Sequence, residues 1–159
     1  MTTVIAGVDR VRPSDRDRLE RLLAQCSDET IRRRFFARVQ HFPARYLEAV
    51  LAAQPSRHDA VVVRYGDGMH VSGLASLATS VDGDVAELGV LVADGWQGLG
   101  FGAAMVEVLV RRAVDRGVEQ VAATVLSEQA GLLQALRRRW PVVALSRSAG
   151  ELTGRYRVQ

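Results

Sequence analysis

Lysine and asparagine are both missing from the 159 residues, so all 21 basic side chains are arginine. A Walker-type phosphate loop needs the lysine of its Gly-Lys-Ser/Thr, and that reading is excluded. A single cysteine, Cys26, cannot form an internal disulfide and fits a reducing compartment. His41, His58 and His70 are scattered without metal-ligand spacing, and no metal is expected. No apolar run approaches the ~20 residues that cross a bilayer. The opening "MTTVIAGVDR" lacks the basic region and apolar core of a secretory leader, so a cytoplasmic protein without a membrane partner is expected. There is no G-x-S-x-G nucleophile elbow. Aromatic residues are few, at 6%, and are not interleaved with Arg32-Arg33-Arg34 or Arg137-Arg138-Arg139. Each triplet spreads around a helix at ~100° per residue, so a solvated helix face is expected and no nucleic-acid partner.

What remains is an ordinary globular composition, 48% hydrophobic and 25% charged, long enough to bury a core as one domain over 1–159. "VIAGVDRVRP" reads as a strand ended by Pro13. Ser14, with Asp17 three positions on, reads as the cap of a helix whose apolar face is Leu19, Leu22 and Leu23. Ser27 begins a second helix with Ile31, Phe35 and Phe36 toward the core. Pro43, at a first helical position, introduces a third over "ARYLEAVLAA". "DAVVVRY", "HVSGLASLATS" and "DVAELGVLV", separated by "GDGM" and "VDG", predict an antiparallel meander. Helical spacing over 101–116, an end at Gly117 and the β-branched "EQVAATVL" predict a parallel β-α-β crossover. Ser127 is expected to cap a last helix reaching about Arg139, with two strands after Pro141. The fold class is therefore α/β (α+β): a mixed, mainly antiparallel sheet with one parallel crossover and helices on both faces.

Gly98, Gly100 and Gly102 alternate where strand gives way to helix. A helix start exposes unpaired N–H groups and the positive end of the dipole, and glycines let an anion approach that backbone closely. A tight turn that needs glycine only for its φ values is the competing explanation. A dinucleotide fold does not fit: the spacing is G-x-G-x-G, and Glu119 stands before the next strand instead of at its end.

"QGLGFG" matches the Q/R-x-x-G-x-G/A signature of the GNAT acetyltransferases at Gln97, Gly100 and Gly102, and the order of elements resembles that family over nearly the whole chain. "SDETIRRRFF" and "AELGVLV" look like its bacterial protein-lysine acetylating members. The resemblance implies that the backbone from Gln97 and Gly98 through Leu99, Gly100, Phe101 and Gly102 grips the pyrophosphate of acetyl-CoA. It also implies that Val90 and Val92 offer backbone groups to the pantetheine arm. Leu99 stands where the family often has a basic residue. "VLSEQ" puts Gln129 where an asparagine usually contacts the cofactor, and the tyrosine that often serves as general acid in the last helix is absent.

Acetyl transfer to an amine needs a base, because a free lysine amine has a pKa of ~10.4. Glu87 is the acidic residue inside "VAELGVLV". Strand alternation groups it with Val85, Gly89 and Leu91, a mainly apolar face where desolvation would raise its pKa. Its match to the family's catalytic glutamate makes it the expected general base, acting directly or through a water. A backbone N–H near Val90 would polarise the thioester carbonyl. No residue is singled out as acid for the leaving thiolate, and water is the default. Cys26 has no partner base and is not expected to act as a nucleophile. The implied partner is an amine acceptor, protein lysine first and a small-molecule amine second, and a homodimer is open. Arg32 to Arg34 and Arg38 are read as solvated helix charge, with a preference for an acidic acceptor or a protein surface as the alternative. A non-catalytic acyl-CoA sensor is the alternative from a different class.

Overall fold

Between 58 and 92 the chain alternates valine-rich runs with glycine turns, and the computed structural model, which describes residues 6–159, folds that stretch into three successive antiparallel strands. These are β2 (His58–Tyr65), β3 (His70–Thr79) and β4 (Val85–Val92). β1 (Ala6–Arg10) pairs antiparallel with β2; Val4 and Ile5 of its expected start lie outside the described residues. After α4 (Phe101–Asp115), β5 (Gln120–Leu126) runs parallel to β4, and β7 (Glu151–Arg157) and β6 (Val142–Ser148) complete the sheet. The described strands lie in the order β1-β2-β3-β4-β5-β7-β6, with β4–β5 their one parallel pair. This is the expected mixed sheet with one β-α-β crossover.

Because side chains alternate across a strand, the sheet has two apolar faces. Val61, Val63, Ala75, Leu77, Leu88, Val121 and Ala123 face α4 and α5 (Gly131–Arg139), where Met105, Leu109, Leu133 and Leu136 are buried. Val62, Leu74 and Leu91 face α1 (Arg16–Ala24), α2 (Asp28–Phe35) and α3 (Ala44–Leu51), meeting Leu19, Leu22, Ile31, Leu47 and Val50. The second cluster draws its strand residues from β2, β3 and β4 with none from β5, β6 or β7, so α1–α3 leave the far half of their face open.

Three helix starts differ from expectation. Pro13–Asp15 form a 3-10 turn ahead of α1, and Ser14 makes no capping bond. Asp15 closes that turn, its carboxylate accepting the backbone N–H of Arg12 at 2.7 Å. Pro43 sits one residue before α3 and not within it, its carbonyl accepting the N–H of Leu47. Ser127 does not cap α5, which begins at Gly131. The Ser127 N–H instead bonds the Gly150 carbonyl at 2.8 Å, tying β5 to the β6–β7 turn, so residues 127–130 form a connection in place of a first turn. Ser27 does cap α2, its Oγ accepting from the Thr30 N–H.

Two buried carboxylates clamp elements together. Asp59, on β2, holds Arg112 of α4 and Arg116 just past its end, at 2.7 and 3.2 Å. Asp15, fully buried, takes both Arg64 terminal nitrogens at 2.8 Å while Arg64 Nε reaches Asp9 at 2.7 Å. Burial pushes the Asp15 carboxyl up, but hydrogen bonds from Arg64 and Arg12 outweigh it and hold it below its ordinary value. A depressed folded-state pKa stabilises above the unfolded value and is lost as pH falls through the folded one. Asp15→Asn should therefore cost about 3 kcal/mol at pH 7 by leaving Arg64 without its buried partner. Urea unfolding should show the gap from wild type narrowing below the carboxylate range of ~3.9.

Candidate active site

The parallel pairing of β4 with β5 stops at Leu88↔Ala123, although β4 continues to Val92 and β5 to Leu126. Beyond that point β5 stays paired with β7 and β4 with β3, so the two strands part. The Ala93 N–H donates to the Ser72 carbonyl at 2.9 Å. Antiparallel bonding alternates residue by residue, so Gly89 and Leu91 also bond toward β3 while Val90 and Val92 point their backbone groups into the gap. Val92 has its carbonyl taken by Gln97 Nε2 at 3.0 Å. The gap opens a cleft of about 720 Å³, walled by Val90, Val92, Val125, Leu132 and Ala135, with α2 along its rim.

At one end of the cleft Asp94–Trp96 make a 3-10 turn and Gln97 donates its N–H back to the Asp94 carbonyl. Gly98 and Gly100 then adopt φ of +76° and +89°, values that exclude a side chain without strain. The turn alone therefore accounts for these two glycines. Gly102 differs: an added Cβ there would make ordinary contact with Val90 and Val92, and its φ needs no glycine. The ligand argument rests on the N–H groups instead. From Gly98 through Ala103 no backbone N–H has an acceptor among the described residues, and the first to find one is Ala104, which donates to the Gly100 carbonyl. These amides stand at the positive start of the fifteen-residue α4. Leu99 projects outward, 64% exposed, and the Phe101 ring packs 5.6 Å from Trp96.

Straps tie α2 to this loop. The Ser27 N–H donates to Asp94 Oδ1 at 2.8 Å, and Gln97 Nε2 donates to Thr30 Oγ1 at 3.1 Å. The Gln97 amide nitrogen is thus committed to protein on both its contacts. On the opposite rim Arg32 reaches Glu128 at 3.3 Å, and the neighbouring Gln129 lines the cleft from a turn closed by its N–H on Leu126.

Glu87 lies past the other end, where β4 and β5 are still paired, and it is exposed. The expected desolvation on an apolar face is not found. Its cross-strand neighbours are Ala78 and Ala122, too small to bury it, and no helix of the α1–α3 layer covers this row. Arg34, which sequence reasoning left among solvated helix charges, extends to the next row. Its guanidinium lies over Gly89, where any Cβ would collide with it, and its Cζ stands 4.7 and 4.9 Å from the Phe35 and Tyr46 ring centres. A glycine inside a strand was the available signal. Tyr46 donates or accepts at Ser76 Oγ, 2.9 Å away, and Ser76 pairs with Gly89. His58, edge-on to Tyr46, is held below its ordinary pKa by burial and then by the charge of Arg34. Among the described residues no group of three or more His, Cys, Asp or Glu is placed to hold a metal.

Residues 18–138 match the family model described as Acetyltransferase (GNAT) family, and the chain belongs to that family. Three solved structures share its fold. The GNAT domain of S. lividans PAT is 22% identical, with a TM-score of 0.82 over 96% of this chain and 90% of that one. A GNAT superfamily phosphinothricin acetyltransferase from Sinorhizobium meliloti, solved with AcCoA, is 14% identical at a TM-score of 0.76, covering 96% and 88%. An acetyltransferase of the family from Streptococcus pneumoniae is 10% identical at 0.75, covering 96% and 99%. No described helix is long and apolar enough to cross a membrane.

Cys26 bonds the Leu22 carbonyl through its thiol, and burial, then the nearby Asp94 charge, pushes that thiol up to about 11. A raised thiol pKa lowers the thiolate fraction available for attack. Alkylation of the native protein by iodoacetamide should rise with pH well beyond the ~8.5 midpoint of an ordinary thiol, and unfolding in urea should restore the ordinary midpoint.

Proposed function

We propose that this protein is an N-acetyltransferase that uses acetyl-CoA and moves the acetyl group to a primary amine in a ternary complex, within one domain spanning 1–159. The observation that carries this reading is the run of unpaired amides from Gly98 to Ala103 at one end of a cleft formed by two parting strands. Unpaired N–H groups at a helix start suit a pyrophosphate. The backbone groups of Val90 and the N–H of Val92, aimed into the gap, suit an extended arm that carries amides of its own. When bound, acetyl-CoA supplies the acetyl group as a thioester.

The roles of the chain's own groups follow from their places. Backbone amides of Gly98, Leu99, Gly100, Phe101 and Gly102 hold the phosphates. Gln97 supports that loop through Thr30 and the Val92 carbonyl. Gln129 offers its carboxamide from the opposite rim, in place of the asparagine usual in the family. The Val90 N–H donates to the thioester oxygen as negative charge develops there. Glu87, at the end of the cleft where the strands rejoin, takes a proton from the acceptor ammonium directly or through a water. Its exposure leaves it reachable by that water. Water protonates the departing thiolate. Protein lysine is the first acceptor for testing and a small-molecule amine the second.

Two measurements test this reading. Acetyl-CoA or CoA at about a hundred times its dissociation constant should stabilise the protein by ~2.7 kcal/mol, several degrees in Tm, while NAD should not. Gly100→Glu, which forces a carboxylate and a strained φ into the amide cradle, should lose that shift while keeping its circular dichroism. Glu87→Gln should keep the shift and lose about 10²- to 10⁴-fold in turnover. Wild-type rates in that variant would remove Glu87 from the mechanism, and no turnover with any amine would leave a cofactor-binding sensor.

A further inference from the structure

Arg34 is placed unlike the other arginines of its helix. Arg32 is paired with Glu29 and Glu128, and Arg33 with Glu29. Among the described residues no carboxylate lies within ion-pair distance of Arg34 and no protein atom accepts a hydrogen bond from it. It is nevertheless held in place. The Phe35 and Tyr46 rings flank its guanidinium, Tyr46 is anchored on Ser76, and Gly89 makes room beneath. A guanidinium held against aromatic rings with no hydrogen-bond acceptor keeps N–H donors free, the arrangement suited to a carboxylate.

The position is also specific. Arg34 lines the cleft and covers Gly89, which lies two residues from Glu87 on the same face of β4 and one residue before Val90. An amine presented between Glu87 and the Val90 N–H would have the guanidinium as its near neighbour. A bare diamine would bring a second positive charge against it, whereas an amine carrying a carboxylate would pair with it. Like charge brought together at short range costs affinity, and a bidentate pair adds both affinity and geometry.

We propose that Arg34 is a specificity-determining residue that binds a carboxylate carried next to the amine of the acceptor. The proposal rests on the acetyl-transfer reading of the cleft and deepens it. The carboxylate has two sources of identical chemistry, the α-carboxylate of a free amino acid or an acidic side chain beside the target lysine in a polypeptide.

The test measures acetyl-CoA-dependent transfer to matched pairs. One arm uses amino acids against the amines left by removing their carboxylate: methionine with 3-(methylthio)propylamine, phenylalanine with phenethylamine, lysine with cadaverine. The other uses N-blocked dipeptide amides with aspartate or alanine before lysine. The carboxylate-bearing member should be favoured about ten- to hundredfold in kcat/KM in one arm, which then names the source. Arg34→Gln should bring the members of each pair together, mainly by raising KM for the anionic one, and Arg34→Lys should restore part of the gap. Retained stabilisation by acetyl-CoA shows that each variant is folded. Transfer without preference in either arm, or an equal loss for both members in Arg34→Gln, overturns the proposal and leaves acetyl transfer standing. If nothing is acetylated, calorimetric binding of the same pairs to the CoA-loaded protein decides. Carboxylate-selective binding lost in Arg34→Gln supports the subsite while the transfer reading falls, and unselective binding overturns both.

Discussion

The early end of one strand pairing governs this molecule. β4 is bonded to β3 along nearly its whole length and β5 to β7 along all of its own, so each is committed on its outer side. They meet over Val85–Leu88 and Gln120–Ala123 and then separate. Had they stayed together, the sheet would be continuous and would have no cleft. Unpaired strand edges facing each other are a standing demand for hydrogen-bond partners, met by water or by an extended ligand with amide groups. The fold thus leaves unpaired groups on the backbone, where no side-chain substitution deletes them directly.

α2 connects the two ends of that cleft. Its cap residue Ser27 is fastened to Asp94, its first turn reaches Gln97 through Thr30, and its last turn carries Arg34 over Gly89. An eight-residue helix would be marginal by itself. Here it is held by Ile31 in the core and by polar contacts to the loop. A rotation of α2 would disturb the amide cradle and the floor near Glu87 together. The straps therefore do more than stabilise a short helix: they keep the two ends in register.

Much of this was legible beforehand. The meander, the crossover and the glycine loop are written in local patterns, valine alternation and glycine punctuation, which act over a few residues and need no tertiary context. The expectation for the backbone of Val90 and Val92 came from the family resemblance alone. What escaped notice depends on neighbours distant in sequence. Glu87 lies in an apolar strand, but its exposure is set by Ala78 and Ala122 and by the reach of α1–α3, none of which the strand itself reveals. Ser14 and Ser127 have good capping side chains, yet Asp15 is drawn to Arg64 and the chain after β5 is pulled toward Gly150. Arg34 stood in a triplet of identical residues, and only the packing of Tyr46 and Gly89 separates it from its neighbours. The glycines themselves carried two messages at once. Gly98 and Gly100 answer to their φ values, and the unpaired N–H groups belong to the whole run of amides around them.

The ion pairs that clamp this fold, from Arg64–Asp15 to Arg112–Asp59, are all made with guanidinium groups, because the chain has no other strong base. Guanidinium stays protonated at every physiological pH and is not an acyl acceptor under conditions where an amine is. A catalyst built this way offers no ε-amino group to its own bound thioester. Acetyl groups that accumulate on side-chain amines in its presence must reside on another molecule, and its charge and its clamps stay constant however long it works.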